Sequence, residues 1–135
     1  MAGYSKNPLW KKLGIKEGHH CFLFQSPTNY FELLEETPTE SEWDDTLEKV
    51  SYDFMHVFLT ELEVLKSNWD RWKAKLKKDG SLWVSWPKGT SKVKTDLNGN
   101  VVRSFGLEGG LVDVKVCAVD DDWSGLKFMY RKKDR

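Results

Sequence analysis

Several features that mark particular protein classes are scarce or missing in this sequence. It has only two cysteines, Cys21 and Cys117, and each lies within an apolar run. This favours reduced core residues in a cytosolic protein over a disulfide framework. No apolar segment approaches about 18 residues, so no transmembrane helix is predicted. The first residues, Met1 to Lys6, lack the apolar stretch of a signal peptide, and we therefore expect a cytoplasmic location.

The chain also lacks an excess of charge of either sign. Its 135 residues include 21 Lys or Arg and 21 Asp or Glu, which gives a formal net charge of zero. Neither nucleic acid nor an anionic membrane is therefore expected as a partner. The local charge runs, acidic from Glu35 to Glu48 and basic from Lys73 to Lys78, are typical of solvated faces and a helix end.

Familiar catalytic and metal-binding motifs are missing too. There is no nucleophile elbow, no phosphate-binding glycine-rich loop and no zinc-binding His-Glu helix motif. His19 and His20, beside Cys21, have no second ligand pair at zinc spacing. The run from Asp120 to Asp122 cannot turn three adjacent carboxylates onto one ion. We therefore predict no catalytic residue and no metal site.

Three short apolar runs, by contrast, are typical of buried β-strands. They are His20–Phe24, Phe54–Leu59 and Ser81–Trp86, and each is apolar on both faces. Such strands are characteristic of parallel sheets that helices cover on both sides. His56 shares a strand face with two phenylalanines, which favours a hydrogen-bonded core histidine over a catalytic base. A short edge strand is predicted at Leu47–Val50.

Helices are predicted between these runs from their caps and their apolar spacing. The most regular one extends from about Glu61 to Lys78, because apolar residues recur there every three or four positions. Thr60 and Glu63 form a capping box at its start. Shorter helices are predicted after the caps Asn7, Ser26 and Thr95 or Asp96, with Pro8 and Pro27 as the first helical residues of the first two.

The end of the chain predicts an antiparallel hairpin. Leu111–Val119 and Leu126–Arg131 are strand-like, and Asp120–Gly125 is the turn between them. Alternating strands and helices followed by a hairpin indicate one α/β domain spanning residues 1–135. The predicted fold is a three-layer, Rossmann-like, mostly parallel sheet of about five or six strands.

This order of elements resembles the class I methyltransferase version of the Rossmann fold, which also ends in an antiparallel hairpin. Gly14–Phe24 is similar to the lead-in and first strand of that fold. Tyr52–Phe58 is similar to its fourth strand, and Leu76–Val84 to the passage into its fifth. The resemblance implies an S-adenosylmethionine site beyond the first strands.

Nearly the whole chain is also similar to a small bacterial family of unknown function. The likeness lies in Ser85–Lys88, Thr95–Leu97, Leu111–Val119 and Trp123–Lys127. This second resemblance implies no particular activity.

The sequence departs from the methyltransferase pattern where the cofactor would bind. Glycines after the first strand allow the cofactor to approach the backbone closely, but Gln25–Tyr30 contains none. The next strand should end in an acidic residue for the ribose hydroxyls, and that region is shortened. We therefore predict no cofactor, with S-adenosylmethionine as the alternative.

The candidate site follows from the rule that ligands of open α/β sheets bind beyond the carboxyl ends of the strands. The residues from Ser26 to Asn29 either offer an anion free backbone N–H groups or simply cap a helix. Trp86 can stack on a planar ligand and Lys88 can pair with a phosphate or carboxylate, or the two mark a strand end and a surface lysine. The predicted ligand-binding residues are Ser26, Thr28, Asn29, Thr60, Trp86, Lys88, Lys92 and Trp123.

Three functions remain open at this point. The main hypothesis is a non-catalytic or degenerate Rossmann-like domain that binds a small anionic or planar ligand, or a protein partner. The first alternative is an S-adenosylmethionine-dependent methyltransferase with an atypical cofactor loop. The second alternative is a structural or interaction module with an exposed apolar patch containing Trp10, Trp43 or Trp123.

Overall fold

Strands and helices alternate along residues 7–135, the part of the chain that this computed structural model describes. The strands are β1 (His20–Phe24), β2 (Glu42–Asp44), β3 (Tyr52–Phe58), β4 (Leu76–Pro87), β5 (Leu111–Ala118) and β6 (Trp123–Tyr130). The helices are α1 (Leu9–Leu13), α2 (Tyr30–Leu34), α3 (Leu62–Lys75) and α4 (Gly99–Glu108), and a 3-10 turn covers Lys132–Asp134.

The strands form one six-stranded sheet in the order β2-β1-β3-β4-β6-β5. The first four strands in this order are parallel, β6 runs antiparallel to β4, and β5 runs antiparallel to β6. The predicted mostly parallel sheet with a C-terminal antiparallel hairpin is therefore confirmed.

Helices cover both faces of this sheet, as the apolar strands predicted. On one face, Trp69 and Trp72 of α3 pack with Met55 and Val84 from the strands. On the other, α1 and α2 pack over a second cluster that includes Leu13, Leu34, Phe54, Phe58 and Trp83. Because successive strand residues point to opposite faces, a strand covered on both sides is apolar at nearly every position.

The lysine-rich stretch after α3 is strand, which corrects the predicted helix end. α3 ends at Lys75, and β4 starts at Leu76 and continues for 12 residues. Leu76 pairs with Tyr52, and the register then shifts before the regular pairing begins. A Cβ on Gly80 would lie 3.0 Å from the carbonyl oxygens of Tyr52 and Asp53, so this close strand contact favours glycine.

The predicted capping box of this helix is also wrong. The N-cap of α3 is Glu61, and its side chain makes no capping hydrogen bond. Instead, Leu62 N donates to Oδ1 of Asp96 at 2.8 Å. A cap supplied from another part of the chain leaves no local signal. The N-cap of α4 is Asn98, whose side chain accepts from Val101 N, rather than Thr95 or Asp96.

One further prediction near the first strands is corrected. The edge strand lies at Glu42–Asp44 rather than at Leu47–Val50. The hydroxyl of Tyr52 accepts hydrogen bonds from the backbone N–H groups of Glu48 and Lys49. These two N–H groups are therefore not available to pair with a neighbouring strand.

The two shorter N-terminal helices begin later than predicted. α2 begins at Tyr30 with Asn29 as its N-cap, so Ser26 and Pro27 belong to the preceding loop. Pro8 is the N-cap of α1 rather than its first residue, while Gly14 ends α1 as predicted, with φ 83°. No helix in residues 7–135 has the length and apolar character needed to span a bilayer.

Candidate functional site

A cup of about 640 Å³ opens beyond the carboxyl end of β4. We call it the carboxyl-edge cup. It is lined by the strand end, by the polar loop that follows and by the start of α4: Trp86, Pro87, Lys88, Gly89, Ser91, Lys92, Val93, Lys94, Thr95, Leu97 and Asn98.

Hydrogen bonds hold both ends of the loop that forms this cup. Lys88 N donates to the carbonyl of Asp122 in the hairpin turn at 2.8 Å. At the other end, Thr95 Oγ1 donates to the carbonyl of Thr60 at 2.6 Å. Asp96 adds its own N–H to the same carbonyl and caps α3 with its carboxylate. The cup is thus anchored to β3, α3 and the hairpin.

The lining of the cup carries positive charge. Lys88, Lys92 and Lys94 contribute ammonium groups, and none of them forms an ion pair with another residue of the range 7–135. The N-terminus of α4 lies beside them, where a Cβ on Gly99 would be 3.5 Å from the indole of Trp86. Lysines and a helix N-terminus both favour an anion. Trp86 is 8% exposed, so it offers a ligand only part of its ring.

The structure brings together three of the eight predicted ligand-binding residues. Trp86, Lys88 and Lys92 line the cup, and Thr60 contributes a backbone carbonyl to its anchoring. Trp123 instead packs edge-to-face on Phe58, with ring centroids 5.1 Å apart, in the core cluster beneath α1 and α2.

The other three predicted residues, Ser26, Thr28 and Asn29, lie in the loop after β1, outside the cup. Sequence reasoning did not select Lys94 or Asn98. A signal for Lys94 exists in its position in the same polar loop as Lys92.

A buried hydrogen-bonded chain lies close to the end of β1. The Tyr30 hydroxyl and His56 Nδ1 are 2.8 Å apart, and His56 Nε2 and Ser85 Oγ are also 2.8 Å apart. Burial lowers the pKa of His56 to about 3 and raises the pKa of Tyr30 well above its usual value. The ring of His56 also stacks on Phe58. His56 is therefore the neutral, hydrogen-bonded core histidine that the sequence predicts.

The turn after β1 does not fit S-adenosylmethionine in the manner of a glycine-rich loop. Gln25 adopts a φ of 53°, a left-handed conformation that glycine adopts more easily. Tyr30, which follows this turn, is only 1% exposed and is committed to the core through His56 and Phe58.

The acidic residue at the end of the next strand is also engaged. Asp44 ends β2 and accepts hydrogen bonds from Lys49 at 2.8 Å and from the Tyr52 hydroxyl at 2.6 Å. The hydrogen bonds from Lys49 and then Tyr52 lower the pKa of Asp44, so the carboxylate is charged but already partnered. A ribose would have to compete with both donors.

A second cavity, which we call the aromatic slot, lies between α3 and the end of β1. Its volume is about 370 Å³, and its lining is Phe22, Phe24, Asp45, Thr46, Leu47, Arg71 and Trp72. Trp72 is fully buried, and its Nε1–H has no hydrogen-bond partner in residues 7–135. The sequence marked these aromatic residues only as core positions.

Metal chemistry gains no support from the described side chains. Within residues 7–135, no three His, Cys, Asp or Glu side chains come together in a way that could hold a metal ion. Both cysteines are buried and free, and burial raises the pKa of Cys21 to about 12. A thiol with this pKa is neither a ready nucleophile nor a ready metal ligand.

The tryptophans proposed for an exposed patch are not freely exposed. Trp10, Trp43 and Trp123 are partly buried and pack against the cluster beneath α1 and α2. The large apolar side chains that are exposed in residues 7–135 are Phe31, Val50, Val93, Val114 and Val116.

Solved structures with a similar fold include S-adenosylmethionine-dependent methyltransferases and a complex with SAH. The DhpI–SAH complex has a TM-score of 0.62 and 9% identity, and the alignment covers 93% of this chain and 83% of that one. A SAM-dependent methyltransferase from Aquifex aeolicus has a TM-score of 0.59 and 14% identity, over 91% and 88% of the two chains. Magnesium protoporphyrin IX methyltransferase (ChlM) from Synechocystis PCC 6803, with bound SAH, has a TM-score of 0.56 and 8% identity, over 91% and 78%.

At these identities the likeness defines the class of fold: this chain has the Rossmann-like fold of class I methyltransferases. No protein-family model matches the chain, and a search of curated proteins finds no similar sequence. The resemblance predicted from the strand and helix order is thus confirmed at the level of architecture.

Proposed function

We propose that this protein is a non-catalytic Rossmann-like domain that binds a small anionic ligand in the carboxyl-edge cup. The observation that carries the proposal is the group of three lysines, Lys88, Lys92 and Lys94, which have no ion-pair partner in residues 7–135 and surround one cavity. An anion would satisfy these ammonium groups and the N-terminus of α4 together.

A planar group on the ligand would add a contact to Trp86. The strand end places this indole on the wall of the cup beside the loop lysines. Stacking on an aromatic ring is worth about 1–3 kcal/mol for a nucleobase. Nucleotides, which combine an anionic and a planar part, are therefore suitable first probes.

Isothermal titration calorimetry with ATP tests this proposal. We expect binding to the unmodified protein and an affinity about tenfold lower for Lys88→Met or Lys92→Met, because each change removes a charge-assisted contact. Lys133→Met is the matched control, since Lys133 is an exposed lysine outside the cup. No heat with ATP or other anionic ligands would reject the small-ligand proposal and leave a protein partner as the remaining form of the main hypothesis.

A second candidate is S-adenosylmethionine-dependent methyl transfer with an atypical cofactor loop. It is supported by the fold of the neighbours and by the aromatic slot, which combines three aromatic rings with the carboxylate of Asp45. The turn after β1 and the engagement of Asp44 count against it.

Titration with S-adenosylhomocysteine separates the two candidates. Methyl transfer predicts binding that Asp45→Asn weakens and Lys88→Met leaves unchanged, because the two residues line different cavities. Absence of binding, or binding lost only in Lys88→Met, would reject the aromatic slot as a cofactor site.

A further inference from the structure

A third cavity lies at the opposite edge of the sheet, near the amino ends of the parallel strands. We call it the amino-edge cavity. Its volume is about 370 Å³, and it is lined by residues that precede or begin the strands and by the end of β6: Gly14, Lys16, His19, Asp53, Asp79, Ser81, Lys127 and Met129. Neither the proposed ligand cup nor the aromatic slot shares a residue with it.

Lys127 is the residue of this cavity that lacks an obvious structural role. It lies in the middle of β6 and is half-buried, yet its ammonium has no hydrogen bond or ion pair with residues 7–135. Its cross-strand neighbour in β5 is Lys115, a like charge. Burial and then the charges of Lys115 and Lys16 lower the pKa of Lys127.

This arrangement favours a bound anion. A partly desolvated ammonium without a partner destabilises the fold, and a like charge directly opposite adds to the cost. Lys115 has its own acceptor, the carbonyl of Lys12 at 3.1 Å, whereas Lys127 has none among residues 7–135. The Nζ of Lys127 is close enough to Gly14 that a Cβ there would lie 3.4 Å from it.

Two further hydrogen-bond donors line the same cavity. His19 Nδ1 accepts from Lys16 N at 3.1 Å, so the neutral ring carries its proton on Nε2. Burial, the largest influence, lowers the pKa of His19 and keeps this neutral form at neutral pH. Ser81 is 7% exposed and contributes a hydroxyl group.

The carboxylates around the cavity do not cancel its positive charge. Asp53 accepts from His20 N at 2.9 Å and pairs with Lys77 at 3.0 Å, so its charge is already offset. Asp79 is exposed. The lining therefore carries two ammonium groups, those of Lys16 and Lys127, against one carboxylate, that of Asp79, that forms no ion pair within residues 7–135.

We propose that the amino-edge cavity is a binding site for a small oxyanion, a carboxylate or phosphate group. Lys127 Nζ supplies the charge, and His19 and Ser81 supply neutral donors. This site is separate from the carboxyl-edge cup and does not depend on the function proposed for it.

An NMR titration of the full chain with inorganic phosphate, and separately with acetate, at constant ionic strength tests this site. At least one anion should shift the backbone amides of His19, Ser81 and Lys127 in a saturable way. Lys127→Met should weaken that binding by about tenfold or more, because it removes a charge-assisted hydrogen bond while keeping an apolar stem.

Lys115→Met is the matched control, because Lys115 lies on the adjacent strand outside the cavity. It should keep the binding, as should Lys88→Met, which alters only the carboxyl-edge cup. The anion that binds with the higher affinity shows whether the site prefers a phosphate or a carboxylate group. Equal affinity in Lys127→Met and the unmodified chain, or no saturable shift at these amides with either anion, would overturn the proposal.

Discussion

The carboxyl ends of β1 and β4 lie on the same edge of one sheet, yet they differ in the space that is available for a ligand. After β1, Gln25 takes a strained φ of 53° and Tyr30 is committed to the core through its bond to His56. After β4, a loop rich in lysine encloses a cup of about 640 Å³. The comparison shows that, in this methyltransferase-like fold, the turn after β1 lacks glycine while a lysine-lined cavity opens two strands away.

The buried residues Tyr30 and His56, near the carboxyl end of β1, should contribute mainly to the stability of the fold. Tyr30→Ala removes a fully buried ring and leaves His56 without one of its two partners, so we expect a loss of about 3–5 kcal/mol in the free energy of unfolding. Urea denaturation measures this loss. Tyr30→Phe is the control that keeps the ring, and it should cost about 1–3 kcal/mol. If Tyr30→Ala lowered the free energy of unfolding by less than Tyr30→Phe does, the buried ring of Tyr30 would not stabilise the fold as described.

The same buried chain predicts how stability depends on pH. The pKa of His56 is 6.5 in the unfolded chain and about 3 in the folded protein, so the unfolded state binds more protons between these values. The contribution of a neutral His56 is therefore fully present above pH 6.5 and is lost as the pH falls, by about 1.4 kcal/mol per pH unit. His19, whose pKa is also lowered, adds to the same trend.

Denaturation curves between pH 5 and 6.5, which we choose to stay above the titration of Asp44 and Asp53, measure this slope. His56→Gln should lower stability and flatten the slope, and the flattening is the specific result. An unchanged slope in His56→Gln would mean that His56 is not buried in the neutral form.

The loop after β4 is anchored by a contact with a smaller expected effect on stability. Asp96→Ala removes the carboxylate that caps α3 through Leu62 N, and we expect a loss of about 1 kcal/mol. Asp121→Ala is the matched control, since Asp121 is an exposed residue of the hairpin turn, and it should change stability by less than about 0.5 kcal/mol. Equal effects of the two substitutions would contradict the proposed anchoring.

The sequence predicted the architecture well because its signals were local. Runs such as His20–Phe24 are apolar on both faces, and such runs form in parallel sheets that are covered on both sides. The same signals could not locate features that depend on distant residues. Asp96 caps α3 across the fold, and the start of β4 is extended by its pairing with β3, so the cap of α3 and its C-terminal end were predicted wrongly.

The candidate site was predictable only in part for a similar reason. The rule that ligands bind beyond strand ends selected Trp86, Lys88 and Lys92, which follow one strand and lie together. It selected Ser26 and its neighbours equally, because sequence does not reveal that Tyr30 turns inward to His56. The aromatic slot was missed, since a core tryptophan and a cavity-lining tryptophan have the same helical spacing.

An NMR titration of the labelled protein with ATP, and in parallel with S-adenosylhomocysteine, tests most directly whether ligands bind at β4 or at β1. We expect ATP to shift backbone amides between Lys88 and Asn98, and we expect neither compound to shift those between Gln25 and Asn29 or those of the aromatic slot. Saturable shifts centred on Gln25–Asn29 with S-adenosylhomocysteine, and none in the loop after β4, would contradict it.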